Sequence, residues 1–164
     1  LALALALALA AVAPAPAHDV TQGDLMVVHP MSRPIMAGRT AAVYMAIAND
    51  GETDERFLGA RSPAFEAVEL HESYEENGIA KMRPVEVLEI PAGDTALLEP
   101  GGLHLMLFGA KQAVAAGETF PLVLIFEQAG EVEVPVMVDE MPLPAGHDHS
   151  GHSDGHGQHA APAE

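Results

Sequence analysis

The chain has 164 residues, with seven basic against twenty-four acidic side chains and a formal net charge of -17. A field of that sign repels nucleic acid and anionic lipid, so neither is an expected partner, and it attracts cations and basic surfaces. There is no cysteine, which removes thiol redox chemistry, cysteine-based zinc sites, iron–sulfur clusters and blue-copper centres.

The first segment, Leu1 to Val12, is an unbroken Leu/Ala run followed by Ala13-Pro14-Ala15-Pro16-Ala17. A short apolar stretch ending in Ala-x-Ala has the form of an export signal cleaved after Ala17. It is too short to span a bilayer comfortably, so no membrane anchor is expected. Residues 1–17 are therefore read as part of a signal peptide, and the periplasm as the destination. Lack of disulfides does not oppose export, because a body of about 125 residues can build its own core.

From Val20 onward the hydrophobic pattern is short and has period two. Asp24 to His29 precedes a bend containing Pro30 and Pro34, and Thr40 to Ala48 has the look of a buried strand stopped by Asn49-Asp50-Gly51. Further strands are predicted over Phe65–Tyr74, Ile79–Ile90, Thr95–Glu99, Leu103–Phe108, Phe120–Glu127 and Val132–Val138. Asn77-Gly78, Pro91 to Asp94, Pro100-Gly101-Gly102, Ala116-Gly117 and Ala129-Gly130 supply the turns between them. No stretch sustains a helical period with caps. Short strands at this spacing predict an all-β domain over residues 18–144, an antiparallel sandwich or Greek-key barrel. Residues 145–164 change character to Gly, Ser, Asp, Ala and five histidines, a composition expected to leave the tail disordered.

Two strand pairs carry candidate chemistry. Asn-Gly favours a type I′ turn, and centring it on Asn77-Gly78 pairs Glu76 with Ile79, Ser73 with Met82 and His71 with Pro84. His71 and Met82 then lie diagonally on one face of a hairpin, about 7–8 Å apart at most between Cβ atoms. In Leu103 to Phe108, alternation sets His104 and Met106 on one face and the leucines on the other, towards the core. Each pair offers one imidazole and one thioether. Thioethers are soft and neutral, so His71, Met82, His104 and Met106 together suit Cu(I) better than zinc, calcium or magnesium. The remaining methionines, Met26, Met31, Met36, Met45, Met137 and Met141, read mainly as core or strand-edge residues, with Met31 and Met36 nearest the candidate copper. His29, before Pro30, reads as structural.

The spacing His-x10-Met-x21-His-x-Met resembles that of the PCu(A)C family of bacterial periplasmic copper chaperones. The similarity extends to Gly23-Asp24-Leu25, His29-Pro30, Lys81-Met82-Arg83-Pro84 and Pro100 to Met106, and covers about Val20 to Val138. It implies a cupredoxin-like β-fold, Cu(I) bound by His71, Met82, His104 and Met106, and delivery towards the CuA centre of cytochrome c oxidase. The receiving partner would be oxidase subunit II or a Sco-type thiol protein. Two positions depart from the family wording: Glu72 follows the first His where Met is common, and Met31 follows His29-Pro30 where Trp is common. Alternation points residue 72 away from residue 71, so the first departure leaves the candidate site intact.

The tail is a second and different candidate. His147, His149, His152, His156 and His159 are interspersed with Asp148 and Asp154, a donor set suited to Cu(II), Zn(II) or Ni(II) more than Cu(I). Copper buffering by the same residues, sequestering instead of delivering, is the alternative function. Catalysis is not expected: the chain lacks an HExxH motif, and four protein ligands would leave no open metal position for a substrate.

Overall fold

The structure is a computed structural model that describes residues 19–140; the expected signal segment and the histidine tail lie outside the described residues. Eleven strands account for the domain: β1 (Val20–Gln22), β2 (Leu25–Ser32), β3 (Ala41–Asn49), β4 (Glu55–Arg61), β5 (Ala67–Glu76), β6 (Ile79–Pro84), β7 (Leu88–Ile90), β8 (Thr95–Leu98), β9 (Leu103–Phe108), β10 (Thr119–Phe126) and β11 (Glu131–Val138). They form one sheet in the order β6-β5-β9-β8-β3-β2-β11-β10-β4-β7, with β1 paired to β2 and a further pairing of β9 with β3. No helix among the described residues is long and apolar enough to cross a membrane.

The sheet curls because its inward residues share one core. Val43 and Ile47 of β3, Leu105 and Leu107 of β9, Leu122 and Leu124 of β10, and Val132, Val134 and Val136 of β11 all belong to a single buried cluster. A flat sheet could not bring strands so far apart in order onto one another. Curling buries both halves of the row, at roughly 1.5–3 kcal/mol per fully buried aliphatic side chain. The strict alternation of β11, with every second residue a buried Val, fixes which way that strand faces.

Besides the short β1, which the strand signals did not indicate, three elements differ from the sequence expectation. The predicted strand Ile79–Ile90 is two strands, because Pro84 has no N–H to extend the ladder. Val85 donates to the Leu70 carbonyl at 2.8 Å, and the chain then crosses so that β7 pairs β4 at the other end of the sheet. β2 runs through Pro30 instead of ending at His29. It does so by a register shift against β3 between Val28 and Met31, with His29 at a φ of 56°, a bulge that lets a proline sit inside a strand. β4 was not expected at all.

Candidate metal centre

The Asn77-Gly78 turn has both residues at positive φ, 56° and 76°, as a type I′ hairpin requires. Its register pairs Glu76 with Ile79, Ser73 with Met82 and His71 with Pro84, the pairing the turn chemistry predicts. One face of the hairpin carries charge: Arg83 meets Glu72 at 2.6 Å and lies 5.2 Å over the Tyr74 ring, while Lys81 bonds Glu76. Glu72 therefore does point away from His71. The other face carries His71, Ser73 and Met82. β6 is a sheet edge with every residue exposed, and Met82 is 49% exposed.

β9 lies against the other side of β5, and its register is the decisive feature. His71 is the direct partner of His104, and Glu69 the direct partner of Met106. All four side chains thus leave the same face of the sheet. The two imidazole centroids are 6.3 Å apart. β3 completes the surround, with Ala42 opposite Met106 and the Tyr44 ring 6.2 Å from His104. Leu105 and Leu107 occupy the opposite, core face and are fully buried. His104 is also buried, at 4% exposure, flanked by the Tyr44 and His71 rings.

The hydrogen bonds orient both imidazoles. Glu99 to Gly102 form a turn closed by the Gly102 N–H donating to the Glu99 carbonyl, with Pro100 preset in φ and Gly101 at a φ of 86°, the pattern of a type II turn. The Gly102 carbonyl accepts from the Ser73 N–H and from His104 Nδ1 at 3.0 Å. A carbonyl only accepts, so Nδ1 carries the proton and Nε2 keeps the lone pair of the neutral ring. His71 Nε2 sits 2.8 Å from Glu69 Oε2, while His71 Nδ1 is buried without a hydrogen-bond partner. A buried, unsatisfied imidazole nitrogen is costly on its own, and metal coordination would relieve it.

Among the described residues no three His, Asp or Glu side chains converge closely enough to hold a metal ion. A metal ion held on this face would therefore need the thioethers as well as the imidazoles as donors. The structure brings His71, His104 and Met106 together on adjacent strands, with Met82 on the next strand out. Met31 lies on the same face as Tyr44, its direct partner across β2 and β3. Met45 is core, as expected, whereas Met36 is 69% exposed and is neither core nor strand. His29 is exposed, its backbone N–H bonded to Asp19. Met141 and His147, His149, His152, His156 and His159 lie outside the described residues. Sequence reasoning did not single out Glu69, Tyr44 or Gly102; only Glu69 had a local signal, two residues before His71 on the same strand face.

Comparison with known proteins places this arrangement in context. The model of the family described as "Putative lipoprotein LpqE-like" matches residues 18–138. "Putative lipoprotein Lxx21020" of Leifsonia xyli subsp. xyli is 35% identical over 105 residues, 63% of this chain and 63% of that protein, so the chain spans less than two thirds of that relative. The apo PCuAC domain from PmoF1 superposes with a TM-score of 0.64 at 26% identity, covering 76% of this chain and 100% of that domain. The solution structure of CuI-DR1885 from Deinococcus radiodurans gives a TM-score of 0.57 at 26% identity, covering 75% of this chain and 81% of the other. The all-β architecture is the cupredoxin-like fold of these PCuAC domains.

Proposed function

The chain belongs to the LpqE-like family, and on that premise we propose that it is an exported copper carrier holding one Cu(I) through His71, Met82, His104 and Met106. The observation that carries this reading is the direct cross-strand pairing of His71 with His104, beside an unsatisfied His71 Nδ1 and with both thioethers leaving the same face. Two imidazoles and two thioethers are neutral, soft donors that favour Cu(I) over harder divalent ions. They fill the ion's coordination and leave no position for a substrate, which fits transport and not catalysis. The likeness to CuI-DR1885 supports the same metal and oxidation state.

Delivery is favoured over storage by the exposure of Met82. A weak thioether ligand on an exposed edge strand can be displaced by an incoming thiolate without unfolding the core. The proposed acceptor is a soft thiol site, such as a Sco-type protein or the CuA centre of cytochrome c oxidase subunit II, reached in the periplasm. The histidines at 147, 149, 152, 156 and 159 are proposed to bind Cu(II) and raise its local concentration by tethering.

Titration of Cu(I) against a competing chelator tests the core site. The intact chain should bind one Cu(I) tightly, and a Met82→Ala, Met106→Ala double variant should lose it; equal binding by the variant would make the thioethers packing residues only. Deleting residues 145–164 should abolish tight Cu(II) binding and leave Cu(I) affinity unchanged.

A further inference from the structure

We propose that Glu69 is a positioning residue that decides which nitrogen of His71 meets the copper, so that the two imidazoles bind through different ring atoms: His71 through Nδ1 and His104 through Nε2. This rests on the reading of both imidazoles as copper ligands and extends it to a residue outside that set.

Alternation along β5 places Glu69 and His71 two residues apart on one face. There the carboxylate reaches His71 Nε2 at 2.8 Å. An ionised carboxylate has no proton to give, so Nε2–H is the donor and the lone pair of the neutral ring lies on Nδ1. That nitrogen is the buried one without a partner. Across the strand pair the assignment is inverted, because the Gly102 carbonyl takes the proton on His104 Nδ1 and frees Nε2. Each ring is thus locked by one outer acceptor, a carboxylate for His71 and a backbone carbonyl for His104. Outer partners of this kind set tautomer and ring orientation, and their loss typically lowers metal affinity about 10–100-fold.

Glu69 also differs from His71 in exposure. Its side chain is 53% exposed, whereas that of His71 is 14% exposed. Nδ1 of His71 is the buried ring atom, and the Glu69 side chain is the more exposed of the two. A second acceptor of the same reach should serve equally well, and a residue with no acceptor should not.

The test uses the full chain, apo and with one equivalent of Cu(I), with imidazole 15N shifts read by long-range proton–nitrogen correlation. In the apo wild type, His71 should show the Nε2–H tautomer and His104 the Nδ1–H tautomer; adding Cu(I) should move His71 Nδ1 and His104 Nε2. Glu69→Gln, which keeps an acceptor oxygen, should preserve these shifts and bind Cu(I) within a few-fold of wild type. Glu69→Ala, with an unchanged amide spectrum elsewhere, should lose the tautomer lock and bind Cu(I) about 10–100-fold more weakly. Copper on His71 Nε2 in the wild type, or an unaltered His71 ring in Glu69→Ala, would overturn the proposal while leaving copper binding intact. If Glu69→Gln fails as badly as Glu69→Ala, Glu69 acts through its charge, and the positioning role is refuted. Cu(I) that moves neither His71 nor His104 would refute the copper site and this proposal together.

Discussion

Glu55, at the start of β4, is 5% exposed, and replacing it with Gln gives a stability change whose size and pH dependence follow from its contacts. Its Oε1 accepts the N–H groups of Arg56 at 2.8 Å and Gln128 at 3.0 Å, and its Oε2 accepts that of Ala129 at 2.9 Å. Burial by itself would raise the pKa of this carboxyl, but the backbone donors of Gln128, Arg56, Ala129 and Glu127 together outweigh it and hold the group below its ordinary value. Glutamine keeps one acceptor and turns an NH2 towards the remaining donor or donors. A buried donor left unpaired costs about 1–3 kcal/mol, and the lost charge-assisted bonds act in the same direction. Glu55→Gln should therefore destabilise the domain by about 2–3 kcal/mol at pH 7. A depressed folded-state pKa stabilises above the unfolded value, about 4.3 for Glu, and that stabilisation is lost as pH falls through the folded value. Urea unfolding of both proteins from pH 7 to pH 3 should show the gap at full size at neutral pH and shrinking below about pH 4. A gap that is absent at pH 7, or constant with pH, would refute this account of how the turn at 127–129 is tied to β4.

Truncating Met82 should separate the site from the core. Because the side chain is half exposed on an edge strand, Met82→Ala should cost no more than about 1 kcal/mol of stability yet weaken Cu(I) binding at least about tenfold, a loss of about 1.4 kcal/mol. Leu105→Ala, at a fully buried position, should cost about 2–5 kcal/mol; thermal melts and chelator competition on both variants check the contrast. Gly78→Ala places a Cβ at a φ of 76°, a strain of about 1–2 kcal/mol, borne by a hairpin strand held only through β5. Amide exchange should show β6 opening faster while the β10–β11 core stays protected, and Cu(I) affinity should fall with it.

The parts legible in the sequence were those with short-range causes. Asn77-Gly78 has a turn type of its own, so the register that sets Met82 beside Ser73 follows from two residues. The leucines of β9 alternate without interruption and so declare their face. β4 was hidden because Glu55, Arg56 and Arg61 surround its apolar residues, although Phe57 is fully buried and Glu55 is solvated by backbone donors instead of water. β6 and β7 were fused because Val85, Val87 and Leu88 carry strand-forming residues on past Pro84, where the ladder with β5 ends. At the site, the pairing of His71 with His104 depends on which strand lies next to β5, a long-range choice made by the whole sheet. Tyr44 and the Gly102 carbonyl become neighbours of the imidazoles only after that choice.

The central claim, a thioether-containing copper site, is tested most directly by X-ray absorption at the copper edge on the full chain carrying one equivalent of Cu(I). The chain has no cysteine, so any sulfur bound to the metal must come from methionine. Two sulfur and two nitrogen neighbours, with the sulfur signal lost in the Met82→Ala, Met106→Ala double variant, are the result this account predicts. A shell of nitrogen and oxygen alone would contradict it.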